Sequence, residues 1–312
     1  MASAPAHETT TARDRGHPPA AHPKRPPQIH EIDRPAEAIR LVAVDIDGTL
    51  MRSDKQVTSL TARAIAEAAR RGVSIVLASA RPPRSVRELH RELGLTTPSV
   101  HYNGALIFDA ASDAPLLHRP LARRTARRAV RLARRIDRSV VVSVERLDRW
   151  LTDRVDPSLL VETTRNSEPD FLGSLRACLR EDVTKLMLLA PPERLGAVRD
   201  GVRAKLSGEL ALHVSDRHVL QLVHRDVDKA AAVRWIAQRQ GVSSEAVMAI
   251  GDAPNDAGML RWARLGVAVD NAWPEALAAA DTVAPSNDAE GVTAALERFV
   301  LHTKVNKLHA AL

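Results

Sequence analysis

Short runs made almost wholly of apolar residues recur along this 312-residue chain, separated by longer segments with a helical pattern. Residues 41–46 (LVAVDI) and 73–78 (VSIVLA) are two such runs, and residues 246–250 and 266–269 are two more. Runs of this kind are typical of strands that are buried on both faces. Their alternation with helices predicts an α/β fold, in which helices cover both faces of a parallel sheet.

The helix between the first two apolar runs has recognisable ends. Thr58 is a favourable N-cap residue and Gly72 stands just past the last helical residue, so we expect a helix over 58–71. Further along, Asn103 and Gly104 form a dipeptide that is typical of turns. The helix-end and turn signals in the first part of the chain are therefore those of an α/β domain.

The middle of the chain has a different pattern of apolar and polar residues. Its apolar segments, at 140–144, 183–189 and 210–223, are shorter or alternate with polar residues, and a short helix is expected over 171–180. Alternation of this kind is typical of a mixed or antiparallel sheet with one covered face. We therefore predict an α+β domain inserted into the α/β core.

The N-terminal segment differs from both. Its first 36 residues contain seven prolines and four histidines and almost no large apolar side chain, so they cannot bury enough surface to offset the entropy of ordering. We expect a disordered tail, and its histidines lack the compact spacing of a metal site. The predicted segments are a tail at 1–36, core at 37–118, an inserted domain at 119–218 and core again at 219–312.

Much of the positive charge lies in one segment, residues 119–138, which holds nine arginines and one aspartate. It has three possible interpretations: a solvated helix face, an anion-recruiting surface or a nucleic-acid site. No aromatic residue or glycine stands between the arginines to stack on bases, so we favour the solvated face and expect no nucleic-acid partner. One face of the expected helix is apolar, with Ala122, Ala126, Ala129, Ala133 and Ile136.

Three further features of the sequence bear on where in the cell the protein is found. No run approaches the roughly 18–20 apolar residues of a membrane span, and the N-terminus lacks the apolar segment of a secretory signal. The single cysteine, Cys178, lies at helical spacing among apolar residues, which indicates a core position. We therefore expect a cytoplasmic protein with no membrane partner.

Two aspartates, Asp45 and Asp47, stand at the end of the first apolar run, and Gly48 follows them. Residues i and i+2 of an extended segment point the same way, so both carboxylates can address one site. Ligands of open parallel sheets bind beyond the carboxyl ends of the strands. A capped turn would explain Gly48 but not two acids that end a buried strand, so we interpret the pair as part of a site.

A second acidic cluster, at 251–256 (GDAPND), follows another buried run and contains Asp252 and Asp256. Parallel strands bring their carboxyl ends to one edge of the sheet, so both clusters are expected there together. Several carboxylates in one place are unfavourable unless a hard cation neutralises them, and oxygen ligands suit Mg²⁺. The sequence thus predicts a magnesium site at this edge.

The segments DIDGTL at 45–50 and GDAPND at 251–256 resemble the first and fourth motifs of the haloacid dehalogenase (HAD) superfamily. The position of the inserted domain resembles that of the Cof-type, C2-capped sugar phosphatases, a branch of this superfamily. The resemblance covers about residues 38–300. It implies a HAD-like, doubly wound (Rossmann-like) core with a C2-type cap, and a Mg²⁺-dependent phosphatase acting on a small phosphorylated metabolite, with a sugar phosphate favoured.

The resemblance also implies roles for matching positions. Asp45 would be the nucleophile that forms an aspartyl-phosphate, and Asp47 would protonate the leaving alcohol and then activate water. The Asp45 carboxylate, the Asp47 backbone carbonyl and Asp252 would bind Mg²⁺. Asp256 would support the metal shell or orient a lysine, and Asn255 would contact the phosphate.

Two further motifs are assigned in the same way. Ser79 closes the second apolar run and would donate to a phosphoryl oxygen, while Arg81 would face the substrate or brace the loop. Lys229 precedes the strand that ends at Gly251 and resembles the lysine of the third motif, whereas Lys185 is interpreted as a strand residue of the insert. A lysine is needed because two like charges about 4 Å apart repel by roughly 4 kcal/mol at an effective dielectric of 20.

Two other functions share these motifs. A phosphotransferase or phosphomutase uses the same Asp-x-Asp pair, and a catalytically silent module could bind phosphate without turning it over. Because each expected catalytic residue type is present, we favour an enzyme over the silent module, with the phosphatase as the leading hypothesis and the phosphotransferase or mutase as the alternative.

Overall fold

The computed structural model describes residues 38–161, 164 and 167–301, so the tail predicted at 1–36 lies outside the described residues. In chain order the strands are β1 (Leu41–Val44), β2 (Ser74–Leu77), β3 (Ser99–His101), β4 (Leu106–Asp109), β5 (Ala114–His118), β6 (Val141–Arg146), β7 (Arg149–Thr152), β8 (Phe171–Leu172), β9 (Lys185–Leu189), β10 (Leu210–Asp216), β11 (Val219–His224), β12 (Val247–Gly251), β13 (Leu265–Val269) and β14 (Thr282–Ala284). The α-helices are α1 (Ser59–Arg70), α2 (Arg87–Glu92), α3 (Arg123–Ile136), α4 (Leu175–Cys178), α5 (Pro192–Leu206), α6 (Lys229–Arg239), α7 (Ala257–Trp262), α8 (Pro274–Leu277) and α9 (Gly291–Leu296).

The core is a five-stranded sheet with the strand order β14-β13-β12-β1-β2, and all its pairings are parallel. All residues of β1 and β12 are buried, as the apolar runs predict. Since β1 lies between β12 and β2 and runs in the same direction, the carboxyl ends of these three strands meet at one edge. The predicted parallel α/β core is confirmed.

Helix α1 begins and ends close to where the sequence predicts. The Thr58 hydroxyl oxygen accepts a hydrogen bond from the Thr61 N–H at 3.1 Å, which satisfies a free donor of the first turn. Gly72 follows the helix with a φ of +83°, a conformation that favours glycine. Helix α1 packs against α9, and α6 packs against α7.

The insert is built on a six-stranded sheet with the order β10-β11-β9-β6-β7-β8. Its pairings are antiparallel except that of β7 with β8, so the sheet is mixed. Apolar side chains of one face pack against α3 and α5 in a single buried cluster. The predicted α+β insert with a mixed sheet is confirmed. The expectation of a single covered face is wrong, because β9 is buried along its whole length and a second apolar cluster around Met187 and Leu159 covers part of the other face.

The cap boundary predicted at 218 falls inside this sheet. Strands β10 and β11 form an antiparallel hairpin across that point, and β11 also pairs with β9. Since β11 completes the sheet of the insert, we propose that the cap covers 119–224. The apolar pattern at 210–223 indicated these strands but not the sheet to which the second one belongs.

The helix predicted over 171–180 is wrong in extent. Residues 171–172 form strand β8, and the helix is confined to Leu175–Cys178. The Ser174 hydroxyl oxygen caps this helix by accepting from the Ala177 N–H, which fixes a late start. Cys178 is buried among the apolar side chains of the cap, as predicted.

The basic segment forms helix α3. Its alanines at 126, 129 and 133 are buried against the rest of the cap, as the pattern predicts. The prediction is wrong at both ends, because Ala122 precedes the helix and is exposed, and Ile136 is 44% exposed at its last residue. In the described part of the chain, no helix is both long enough and apolar enough to cross a membrane.

A small antiparallel sheet, β3-β4-β5, connects core and cap. It is joined to the core by a parallel bridge between Ala78 and Val100. The turn predicted at Asn103-Gly104 lies between β3 and β4, where Asn103 adopts a left-handed conformation with φ of 59°.

Candidate active site

Four charged side chains meet at the carboxyl edge of the core sheet. The Lys229 ammonium donates to Oδ1 of Asp45 at 2.5 Å and to Oδ1 of Asp256 at 2.7 Å. One carboxylate oxygen each from Asp45, Asp252 and Asp256 lies within 4.8 Å of the other two. All four side chains are buried. Residues that the sequence assigned to three separate motifs thus form one cluster.

The local sequence permits this close approach. A Cβ atom at Gly48, which has a φ of +82°, would stand 2.5 Å from Oδ2 of Asp252. A Cβ atom at Gly251 would stand 2.6 Å from the Cβ of Asp256. The Thr49 hydroxyl donates to Oδ1 of Asp252 at 2.6 Å. Both glycines are therefore required by the crowding of the carboxylates, rather than by turn geometry alone.

Asp256 uses both of its oxygens within the protein. Oδ2 accepts from the backbone N–H groups of Asp252 at 3.1 Å and Ala253 at 2.9 Å, while Oδ1 accepts from Lys229. Of the two roles implied for Asp256, these contacts suit the orientation of a lysine better than direct metal binding.

The electrostatics of the cluster are dominated by burial. Burial and the nearby carboxylate of Asp256 raise the pKa of Asp45 well above its usual range, although Lys229 opposes them. Burial also raises the pKa of Asp252 to about 6, against the hydrogen bond from Thr49. Burial alone would lower the pKa of Lys229, but Asp256 and Asp45 outweigh it and raise that pKa.

These shifts have one common cause. When ionised, the three carboxylates carry three negative charges, and the Lys229 ammonium supplies one positive charge. Such an excess in a buried site favours protonation unless another cation is bound. The buried triad of aspartates therefore suggests a metal ion, and its donors are the hard oxygens that Mg²⁺ prefers.

The Asp47 carboxylate is not part of this cluster and contacts two other cations. It accepts from Nε and Nη2 of Arg81, both at 2.6 Å, and from the Lys55 ammonium at 2.8 Å. Burial would raise the pKa of Asp47, but Arg81 and Lys55 outweigh it and lower that pKa to about 2. Arg81 thus braces the Asp47 carboxylate, and Lys55 is a partner that no pattern in the sequence indicated.

Ser79 and Asn255 are connected through Asn103. The Ser79 hydroxyl oxygen accepts from the Arg81 N–H at 3.1 Å, and the Ser79 carbonyl accepts from the Asn103 N–H at 3.0 Å. The Asn255 side-chain amide donates to Oδ1 of Asn103 at 2.9 Å. The Asn103-Gly104 turn signal was visible in the sequence, but the part that Asn103 plays here was missed.

The two candidate lysines lie in different domains. Lys185 is in strand β9 of the cap, as predicted, and its ammonium contacts the Ala80 carbonyl at 3.5 Å. Lys229 begins helix α6, where the Asp228 side chain caps the helix by accepting from the Ala230 N–H. Only Lys229 of the two forms an ion pair with Asp45.

Comparison with known proteins shows the family to which the chain belongs. Residues 42–296 match the family model of the haloacid dehalogenase-like hydrolases. The chain is 28% identical to the 5-amino-6-(5-phospho-D-ribitylamino)uracil phosphatase YitU of Bacillus subtilis, over 83% of this chain and 97% of that protein. It is 30% identical to the HMP-PP phosphatase of Cronobacter sakazakii, over 77% of this chain and 87% of that protein.

Solved structures share the architecture. A haloacid dehalogenase-like hydrolase from Bacteroides thetaiotaomicron superposes with a TM-score of 0.75 at 25% identity, covering 83% of this chain and 99% of that one. The subclass IIB sugar phosphatase BT4131 superposes with a TM-score of 0.69 at 19% identity, covering 83% and 98%, and has the same fold. Because these matches span core and cap alike, the chain belongs to the haloacid dehalogenase-like hydrolases and is a phosphatase of that family.

Proposed function

We propose that this protein hydrolyses a small phosphorylated metabolite, with a sugar phosphate favoured, through an aspartyl-phosphate formed on Asp45 in a Mg²⁺-dependent reaction. The observation that carries the proposal is the Lys229 ammonium, which is buried between Asp45 and Asp256. An anionic nucleophile needs such a cation before it can approach an anionic phosphate. The names of both relatives above also describe phosphatases of small phosphorylated molecules.

Each charged side chain of the cluster has a separate role in the proposed reaction. The Asp45 carboxylate forms a bond to phosphorus as the bond to the leaving oxygen breaks, and water later cleaves the acyl phosphate. Lys229 offsets charge on the transferring oxygens, and Asp256 keeps it in place. The Asp45 carboxylate, the Asp47 backbone carbonyl and Asp252 would hold Mg²⁺, which supplies further neutralisation of the phosphate charge when bound.

Asp47 is proposed as the acid and base, and its ion pair sets a condition on that role. With a pKa lowered to about 2, Asp47 holds no proton near neutral pH while Arg81 and Lys55 contact it. Protonation of the leaving alcohol therefore requires the carboxylate to leave these cations, or the cations to turn toward the substrate phosphate. Ser79 and Asn255 are proposed to donate hydrogen bonds to the phosphate.

Replacement of the nucleophile tests the proposal. Asp45→Asn is expected to abolish release of phosphate from para-nitrophenyl phosphate, because an amide is a poor nucleophile and a weaker ligand. The control is Asp200→Asn, which changes an exposed aspartate of α5. Residual turnover above roughly 1% of wild type would place the nucleophile elsewhere.

Metal removal gives a second, independent measurement. EDTA is expected to abolish turnover because the buried carboxylates lose their counter-charge, and added Mg²⁺ is expected to restore it.

Release of inorganic phosphate distinguishes hydrolysis from transfer to an acceptor alcohol, which a phosphotransferase or mutase would catalyse. A protein that binds phosphate but releases none from any of a panel of phosphorylated metabolites would be the silent module.

A further inference from the structure

Two charged residues lie on the face of the cap sheet that the cap helices do not cover. Glu145 of β6 and Lys185 of β9 are cross-strand partners. Both are buried, at 0% and 3% exposure. Their neighbours Val144 and Leu186 point the other way, into the apolar cluster beneath α3 and α5. Glu145 and Lys185 therefore face the core domain.

Glu145 is fully satisfied by the core. Arg84 donates to its two oxygens at 2.9 and 2.8 Å, which is a bidentate ion pair. The Tyr102 hydroxyl lies 3.2 Å from Oε2 of Glu145 and also donates to the Leu147 carbonyl at 2.6 Å. Glu145 is thus ion-paired with Arg84, whose guanidinium also lies 3.8 Å from Oδ1 of Asp148.

Lys185 has no such match. Its ammonium contacts the Ala80 carbonyl at 3.5 Å and lies 5.0 Å from the centroid of the Tyr102 ring. Within the described residues, no carboxylate forms an ion pair with it. Burial lowers the pKa of Lys185 to about 8, with Glu145 opposing this shift and Arg84 adding to it. An apolar side chain such as methionine would fill the position without a buried charge.

The position of this cation is next to the proposed phosphate site. Ala80 directly follows Ser79, and Tyr102 directly precedes Asn103, whose side chain holds Asn255. Lys185 therefore lies between the two core loops that carry Ser79 and Asn103, on the side of the cap. A leaving group attached to a phosphate at this site would meet the same seam between cap and core.

We propose that Lys185 is a specificity-determining residue that binds a second acidic group on the leaving group, close to the phosphate ester. A carboxylate or a second phosphate supplies the ion-pair partner that Lys185 lacks among the described residues, whereas an uncharged hydroxyl does not. The substrate class is then a phosphate monoester with an additional acid, such as a sugar acid phosphate or a sugar bisphosphate. This inference rests on the function proposed above.

The test uses phosphoglycolate and glycol monophosphate, which differ only in that a carboxylate replaces a hydroxymethyl group. Wild type is expected to prefer phosphoglycolate by about tenfold or more in kcat/KM, and Lys185→Met is expected to remove this preference through KM. Turnover of para-nitrophenyl phosphate, which has no second acid, should stay within about threefold. The matched control is Lys205→Met, an exposed lysine of α5 in the same cap.

A second measurement does not depend on turnover. Calorimetric titration of phosphoglycolate into Asp45→Asn protein should show a Kd that weakens about tenfold when Lys185→Met is added. Equal kcat/KM for the two substrates in wild type, or an equal loss on all three substrates in Lys185→Met, would overturn the inference. If Asp45→Asn itself retained turnover, the proposed nucleophile would fail, while the calorimetric comparison would still test Lys185.

Discussion

Lys229 is a charged side chain with no exposure to solvent, held by two carboxylates of the same buried cluster. Burying an ammonium is unfavourable by itself, and the ion pairs with Asp45 and Asp256 compensate for it. Lys185 is also buried, yet among the residues described it forms no ion pair with a carboxylate. We therefore expect Lys229 to stabilise the fold through its ion pairs and Lys185 to destabilise it. Both lysines are nevertheless proposed to act in function.

Lys229→Met is expected to lower turnover by orders of magnitude and to lower the free energy of unfolding by about 3–5 kcal/mol without metal. The loss of stability arises because the carboxylates of Asp45 and Asp256 remain buried without their cation. Since the pKa of Asp45 is raised well above its usual range, acid readily neutralises this carboxylate, and the loss should shrink as pH falls. Urea unfolding in EDTA at neutral and acidic pH measures this, and a loss that does not change with pH would contradict it.

Lys185→Met is expected to do the opposite and stabilise the fold. The pKa of Lys185 falls from 10.5 to about 8 on folding, which corresponds to roughly 3 kcal/mol of destabilisation while the group is charged. This penalty is complete below about pH 8, shrinks as the folded protein loses the proton, and is absent above the unfolded pKa. Urea unfolding of both proteins near pH 7 and pH 10 checks it. A variant less stable than wild type near pH 7 would show that Lys185 has a structural role.

At the scale of single elements, helix α3 combines a small apolar stripe with a surface of arginines. Ala126, Ala129 and Ala133 pack into the cap, and the helix lies against α5. Arg128 pairs with Glu209 on the cap surface. The apolar stripe explains why α3 forms and packs against the cap. The arginines on its other faces are not needed for this packing.

Reversal of the charge on α3 tests the solvated-face interpretation. Changing Arg127, Arg131 and Arg135 to glutamate is expected to leave the ranking of substrates unchanged. Arg134 is kept because it donates to Asp153 at 2.6 Å, so its replacement would disturb the cap itself. Two substrates of different charge are compared at low and high ionic strength, where screening separates long-range attraction from direct contacts. A salt-sensitive loss confined to the more highly charged substrate would identify α3 as an anion-recruiting surface.

At the scale of the whole molecule, the cap is attached to the core by polar contacts as well as by its two connections. The Arg84 guanidinium of the core reaches Glu145, and its backbone N–H donates to Asp148 of the cap at 2.7 Å. The loop that carries Arg84 follows Ser79 by a few residues. The orientation of the cap and the shape of the proposed phosphate loop are thus coupled through one arginine.

A double-mutant cycle measures this coupling. Glu145→Met alone leaves the Arg84 guanidinium without its bidentate partner and is expected to lower the free energy of unfolding by about 3–5 kcal/mol. Arg84→Met alone leaves the fully buried Glu145 uncompensated and should be similarly unfavourable. Together, the two changes should be much less destabilising than the sum of the single variants. Additive losses would show that the ion pair does not join the two domains.

The sequence was most informative where chemistry follows directly from topology. Asp45 and Asp252 could be placed together because both follow buried parallel strands, whose carboxyl ends share one edge. The partners of Asp47 could not be predicted, because several arginines and lysines were available and only the tertiary arrangement selects Arg81 and Lys55. The same holds for the Arg84 contact to Glu145, which joins residues 61 positions apart in different domains.

The two connections between core and cap run side by side. Arg119, where the chain enters the cap, donates to the Asp226 carbonyl, where it returns, at 3.2 Å. The five-stranded core sheet contains no strand of the insert. Excision of the insert would therefore leave two neighbouring ends and an intact sheet. Recombination at these two connections could therefore exchange one insert for another while Asp45 and Lys229 stay in an unchanged core.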